Sequence, residues 1–148
     1  MKLLAIDHGL RRIGLATCDA SGLIARELTI IDRRSKVEDF EKINQLAAQE
    51  QAAAIVIGLP TNYEAHEGQQ SQAKSVEKWA AQLQETTALP IIFWDEQLSS
   101  ADARELAQAK KRKPRDPIDD LAARVILQSY LDAVRDGLAE LPNVSTNQ

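Results

Sequence analysis

The run Ala53-Ala54-Ile55-Val56-Ile57 is apolar at every position and stops abruptly at Gly58-Leu59-Pro60. A strand with one wet face alternates apolar and polar residues, so a short run without alternation belongs to a strand covered on both faces. That segment commits the chain to an α/β fold, with helices above and below a sheet. Residues 3–6, 13–17, 23–31 and 90–94 supply four further strand-like stretches. The first ends at Asp7-His8-Gly9, and Cys18-Asp19-Ala20-Ser21-Gly22 has the chemistry of a hairpin turn. Helical spacing appears over 35–50 (Val37, Phe40, Ile43, Leu46, Ala47) and over 69–86 (Ala73, Val76, Trp79, Ala80, Leu83). Two more helices are expected over 99–110 and 116–136, the last closed by Gly137. Short turns join the first three strands into an antiparallel meander, and the later strand–helix alternation predicts parallel crossovers. The expected architecture is a five-stranded mixed sheet flanked by helices on both faces. One domain is expected over 1–138, followed by a frayed tail over 139–148.

Composition narrows the function. The 148 residues carry 18 Lys+Arg against 22 Asp+Glu, a formal charge of −4, which excludes a strongly basic nucleic-acid coat. No apolar run approaches the ~18–20 residues needed to span a bilayer, and Asp7 interrupts the first run too early for a secretory signal. Cys18 is the only cysteine, and His8 and His66 are the only histidines, so neither a disulfide framework nor a zinc cluster is available. A cytoplasmic protein is expected. The overall balance conceals one concentrated element. Lys110, Lys111, Arg112, Lys113 and Arg115 fall within six positions that contain no acid. Such a run is either a solvated loop or a phosphate-steering element.

Three carboxylates fall where chemistry gathers in open α/β sheets, beyond the carboxyl ends of strands. Asp7 ends the first strand, Glu96 follows the fifth, and Asp119 lies in the first turn of the last helix. Each has a plainer reading: a turn carboxylate, a polar strand end, and an N3 acid behind an Asp116 cap and Pro117. Asp119, however, shares a face with Ala122, Ala123, Ile126 and Tyr130, where a carboxylate needs a partner. Its neighbour Asp120 can pair with Arg124 four residues on. Oxygen ligands without histidine or cysteine suit Mg²⁺ or Mn²⁺. Such ions can activate a water and stabilise the leaving oxygen of a phosphodiester. The loop Gly9-Leu10-Arg11-Arg12-Ile13-Gly14 sets two guanidiniums beside Asp7, suited either to phosphate contact or to a solvated turn. Ser99 and Ser100 read as helix caps, and Trp79 and Trp94 as packing.

Four ordered blocks carry a family resemblance. Asp7-His8-Gly9-Leu10-Arg11-Arg12-Ile13-Gly14-Leu15-Ala16 resembles the opening D-x-G-x-x-R-I-G-x-A motif of the YqgF family. Val56-Ile57-Gly58-Leu59-Pro60 resembles its v-v-G-L-P segment, and Asp95-Glu96-Gln97-Leu98-Ser99-Ser100 its D-E-R-L-T-T. Ile118-Asp119-Asp120-Leu121-Ala122-Ala123, continuing through Ile126-Leu127-Gln128-Ser129-Tyr130-Leu131-Asp132, resembles its closing D-x-x-A-A … I-L-Q-x-y-L-D. The family is similar in fold to ribonuclease H and to Holliday-junction resolvases. Its members are described as junction resolvases and, in bacteria, as nucleases maturing the 5′ end of 16S ribosomal RNA. The resemblance implies that Asp7, Glu96 and Asp119 hold the metals and that Arg12 contacts substrate. Gln97 replaces the family's arginine, and residues 62–68 depart from its n-m-d-G-t pattern.

The resulting expectation is a metal-dependent endonuclease acting on nucleic acid, with precursor rRNA preferred over branched DNA, monomeric or homodimeric, and without a membrane partner. Resolution of Holliday junctions in four-way DNA and a noncatalytic nucleic-acid or transcription-linked binding module are the alternatives.

Overall fold

Ala54, Ile55, Val56 and Ile57 are fully buried, as their uninterrupted apolarity requires. Their strand, β4 (Ala54–Leu59), pairs in parallel with β1 (Leu3–His8) on one side and with β5 (Ile91–Asp95) on the other. β1 also pairs antiparallel with β2 (Arg12–Cys18), which pairs antiparallel with β3 (Ala25–Asp32). The sheet order is therefore β3-β2-β1-β4-β5, the expected meander joined to parallel crossovers. This computed structural model describes residues 1–60, 67–95, 99–113 and 115–142, with the side chains at 67–71 and 99–102 outside the description.

Alternation along each strand sorts the core into two faces. Leu4, Ile6, Ile13, Leu15, Ile55 and Ile57 meet α1 (Lys36–Gln49) and α2 (Glu67–Gln84) through Phe40, Ile43, Val76, Trp79 and Leu83. Each fully buried large side chain there contributes roughly 1.5–3 kcal/mol. The opposite face is built from smaller groups: Ala5, Ala16, Cys18, Ala25 and Ala54 meet Ala123, Ile126, Leu127 and Tyr130 of α4 (Asp119–Arg135). Small residues on the strands, met by Ala123, let α4 lie close to the sheet, with Ile126, Leu127 and Tyr130 filling the space around them. Helix α3 (Ser99–Ala109) packs on α4, through Ala103 and Ala107 against Leu121 and Ala122.

Local chemistry moves some boundaries. Ser35 caps α1 by accepting from the Glu38 amide at 3.1 Å. Val37, expected inside, is 76% exposed because it falls outside the stripe formed by Phe40, Ile43 and Ala47. Helix α4 begins at Asp119, three residues later than its sequence suggests. Asp116 does not cap it; its carboxylate accepts from the Lys113 amide at 2.7 Å and closes the turn before the helix. Ala122 then donates to the Ile118 carbonyl at 2.9 Å, so Asp119 is the first helical residue rather than the third.

At the other end Gly137 adopts φ +78°, while Gly137 and Leu138 donate to the carbonyls of Val134 and Ala133. The expected tail begins with two residues fastened to the fold. Ala139 packs on the α4 core, and the Glu140 carbonyl accepts from the Tyr130 hydroxyl. Residues 143–148 lie outside those described. No described helix is long and apolar enough to cross a membrane.

Candidate active site

Because Leu3 and Ala5 face α4, strand alternation carries Asp7 to the same face, at the end of β1. Its cross-strand partner is Gly14 of β2, and directly opposed residues share a face. A β-carbon on Gly14 would stand 1.9 Å from the Asp119 carbonyl oxygen and 2.7 Å from the Asp120 nitrogen. Only glycine admits the first turn of α4 here. The helix thereby sets Asp119 over the β1–β2 turn, where its Oδ1 lies 3.5 Å from the place a Gly9 β-carbon would occupy. Arg12 Nε donates to Asp119 Oδ2 at 2.9 Å, with side-chain exposures of 41% and 19%. Two of the expected carboxylates thus flank one glycine. The third, Glu96, lies outside the described residues, as do Gln97 and residues 61–66. No cluster of three potential metal-binding side chains occurs among the described residues.

The second acid of the Asp119-Asp120 pair is the more buried one. Asp120 is 7% exposed and receives both arms of Arg112, at 2.8 and 3.0 Å. The hydrogen bond to Asp120 pushes the Arg112 pKa above its ordinary value. Arg124, expected to pair with Asp120, instead reaches Glu27 on β3 at 3.1 Å, because Arg112 already fills the space beside Asp120. Lys110 joins the same Glu27 at 2.8 Å. Burial opposes ionisation of Glu27, yet the Lys110 hydrogen bond and the Arg124 charge hold its carboxyl below the usual range.

Within the basic run, then, Lys110 and Arg112 carry ion pairs that fasten the α3–α4 loop. Lys111 takes φ +59° just beyond α3 and is exposed. Lys113 and Arg115 line a groove of about 380 Å³ that also includes Arg12, Arg104, Arg112 and Asp119. Arg104 was not evident in the sequence reading. Its signal is helical spacing, since 104 and 108 share a face of α3 that leads towards Arg112.

On the other face of the sheet, His8 meets Trp79 in a tilted ring contact with centroids 4.5 Å apart. Burial, reinforced by the Arg33 charge, lowers the His8 pKa to about 4, so the ring is neutral near pH 7.

This chain layout is found in resolvases with a ribonuclease H-like fold. RuvC from Thermus thermophilus, solved in complex with a Holliday junction substrate, matches with TM-score 0.65 and 14% identity, covering 94% of this chain and 98% of that one. The fowlpox virus resolvase, solved with Holliday junction DNA, matches with TM-score 0.56 and 8% identity, covering 90% and 99%.

At the sequence level, a family model described as RuvX, Holliday junction resolvase, matches residues 1–133. Proteins named "Putative pre-16S rRNA nuclease" are 39% identical in Thermoanaerobacter pseudethanolicus and 41% identical in a Synechocystis strain. These cover 92% and 93% of this chain and 99% and 91% of the relatives. The chain belongs to the RuvX family, the one its four motif blocks resemble as YqgF.

Proposed function

We propose that this protein is a divalent-metal-dependent endonuclease that hydrolyses phosphodiester bonds during 5′-end maturation of precursor 16S ribosomal RNA, in the bacterial cytoplasm. The observation that carries the reading is the placement of Asp119 against Gly9 and Gly14, beside the strand end that bears Asp7. The names of the relatives support the choice of rRNA.

The donor set fits Mg²⁺ or Mn²⁺. Asp7 and Asp119 offer carboxylate oxygens on the α4 face, and Glu96 follows β5 in the chain. When bound there, the metal supplies positive charge that activates a water and stabilises the leaving oxygen. Hydrolysis adds that water to phosphorus and breaks one P–O bond. The protein's own residues do the rest. Arg12 orients the Asp119 carboxylate through its 2.9 Å hydrogen bond and lies within reach of an incoming phosphate. Arg112, paired with Asp120, fixes the loop that carries Lys113 and Arg115 towards the groove. Those two cations, with Lys111, attract the phosphate backbone.

A second reading, resolution of four-way DNA, is favoured by the family description and by the RuvC fold match. It requires two coordinated sites and therefore a homodimer. The test is cleavage of end-labelled precursor rRNA and a four-way DNA junction in parallel, with Mg²⁺, Mn²⁺ or EDTA. Metal-dependent cutting of the rRNA alone supports the proposal. Cutting of the junction by a dimer supports the second reading. Metal-independent binding with no cleavage of either substrate contradicts both.

A further inference from the structure

The groove beside Asp119 is lined by Arg12, Arg104, Arg112, Lys113, Arg115 and Asp116, with Ala107, Gln108, Pro117 and Ile118 between them. Its cations are not equivalent. Arg12 is paired with Asp119, and Arg112 is neutralised by Asp120. Among the described residues, Arg104, Lys113 and Arg115 have no side-chain ion pair, and all three are exposed. Among the described residues the lining contains no aromatic ring on which a base could stack, and its apolar members are Ala107, Pro117 and Ile118. We infer that this groove holds a backbone phosphate neighbouring the scissile one, and that Arg104 on α3 is a substrate-binding residue that acts there with Arg115.

The chemistry follows from the charge pattern. A groove with uncompensated guanidiniums and no stacking surface reads phosphate, which carries no sequence information. Arg112 and Asp120 act as its rigid wall, because their paired charges hold the loop, and Arg104, Lys113 and Arg115 outnumber the Asp116 carboxylate, so the groove stays cationic. Arg104 comes from α3 and Arg115 from the loop that follows it, and both line the groove, so the two can share one phosphate. The position of the groove at Asp119 ties this inference to the nuclease reading. Its binding test, however, does not depend on cleavage.

The test measures binding of the full chain to labelled single-stranded RNA of two compositions, all-A and all-U, by fluorescence anisotropy over a salt series with Ca²⁺ replacing Mg²⁺. R104Q and R115Q should each weaken binding about tenfold for both RNAs alike. Each should also lower the salt slope by about 0.7. K110Q, whose ammonium is held by Glu27 and does not line the groove, should change the slope by less than half as much. Unaltered melting of R104Q shows that the loss is one of contact rather than of folding.

An unchanged slope for R104Q overturns the inference, as does a loss confined to one RNA. If wild-type protein binds with an Arg104-dependent slope yet cleaves nothing under Mg²⁺ or Mn²⁺, the groove stands and the nuclease reading falls. If wild-type protein cleaves while R104Q binds normally, the reverse holds.

Discussion

Arg12 and Asp119 lie 107 positions apart in sequence, yet the Arg12 Nε sits 2.9 Å from Asp119 Oδ2. The contact joins the first residue of β2 to the first residue of α4. Both side chains are partly open to water, and an ion pair so exposed contributes about 1 kcal/mol or less. R12Q and D119N should therefore each lower unfolding free energy by no more than about 1 kcal/mol in urea titrations. A loss well above that would make the pair a structural fastener and weaken its assignment to substrate and metal.

Gly14 should be intolerant of any side chain. An added β-carbon would press on the Asp119 carbonyl oxygen at 1.9 Å, and that neighbour is backbone. G14A should cost about 1–3 kcal/mol by overpacking and shift the start of α4 away from β2. Urea unfolding measures the first effect. Loss of cleavage beyond the fraction unfolded measures the second.

Arg112 and Lys110 should separate sharply in stability despite being two residues apart. R112M leaves Asp120, 7% exposed, without its bidentate partner, at a cost of about 3 kcal/mol. K110Q removes a partly exposed pair with Glu27 and should cost about 1 kcal/mol or less. The double variant R112M/D120L should recover much of the first loss, as a double-mutant cycle would register.

His8 should add an acid limb to stability. Its folded pKa is about 4 against 6.5 for an ordinary histidine, so between these the unfolded chain binds the proton that the folded chain refuses. Stability from this group is complete above pH 6.5 and falls as pH drops towards 4. Allowing for residual exposure of the ring, the loss is roughly 2 kcal/mol. H8F should flatten that limb in urea titrations at successive pH values. Retention of the full slope would assign it to carboxylates instead.

The mixed five-stranded sheet is legible in the chain because β4 announces burial on both faces and short turns leave the first three strands little choice, whereas the place of β4 between β1 and β5 comes from the structure. Asp7 and the Gly9–Gly14 turn were equally legible, since strand ends and glycines are local signals. The contents of the α3–α4 loop were not. Five adjacent cations look alike in sequence, and their division into wall and groove depends on Glu27 and Asp120, which arrive from other elements. The start of α4 was misplaced for a related reason, because Asp116 could serve either the turn or the helix and the Lys113 amide claimed it. The neutral state of His8 is not legible in sequence, because it is set by Trp79 and Arg33, both distant along the chain.

Hydrolysis at Asp7 and Asp119, beside the end of β1, is the proposal on which the rest depends. It is tested most directly by the rate at which D119N cleaves end-labelled precursor rRNA in Mg²⁺ at a temperature where the variant is fully folded. A fall of about a thousandfold or more is expected, as when a residue acting in the chemical step is removed. Cleavage by folded D119N at the wild-type rate would contradict the proposal.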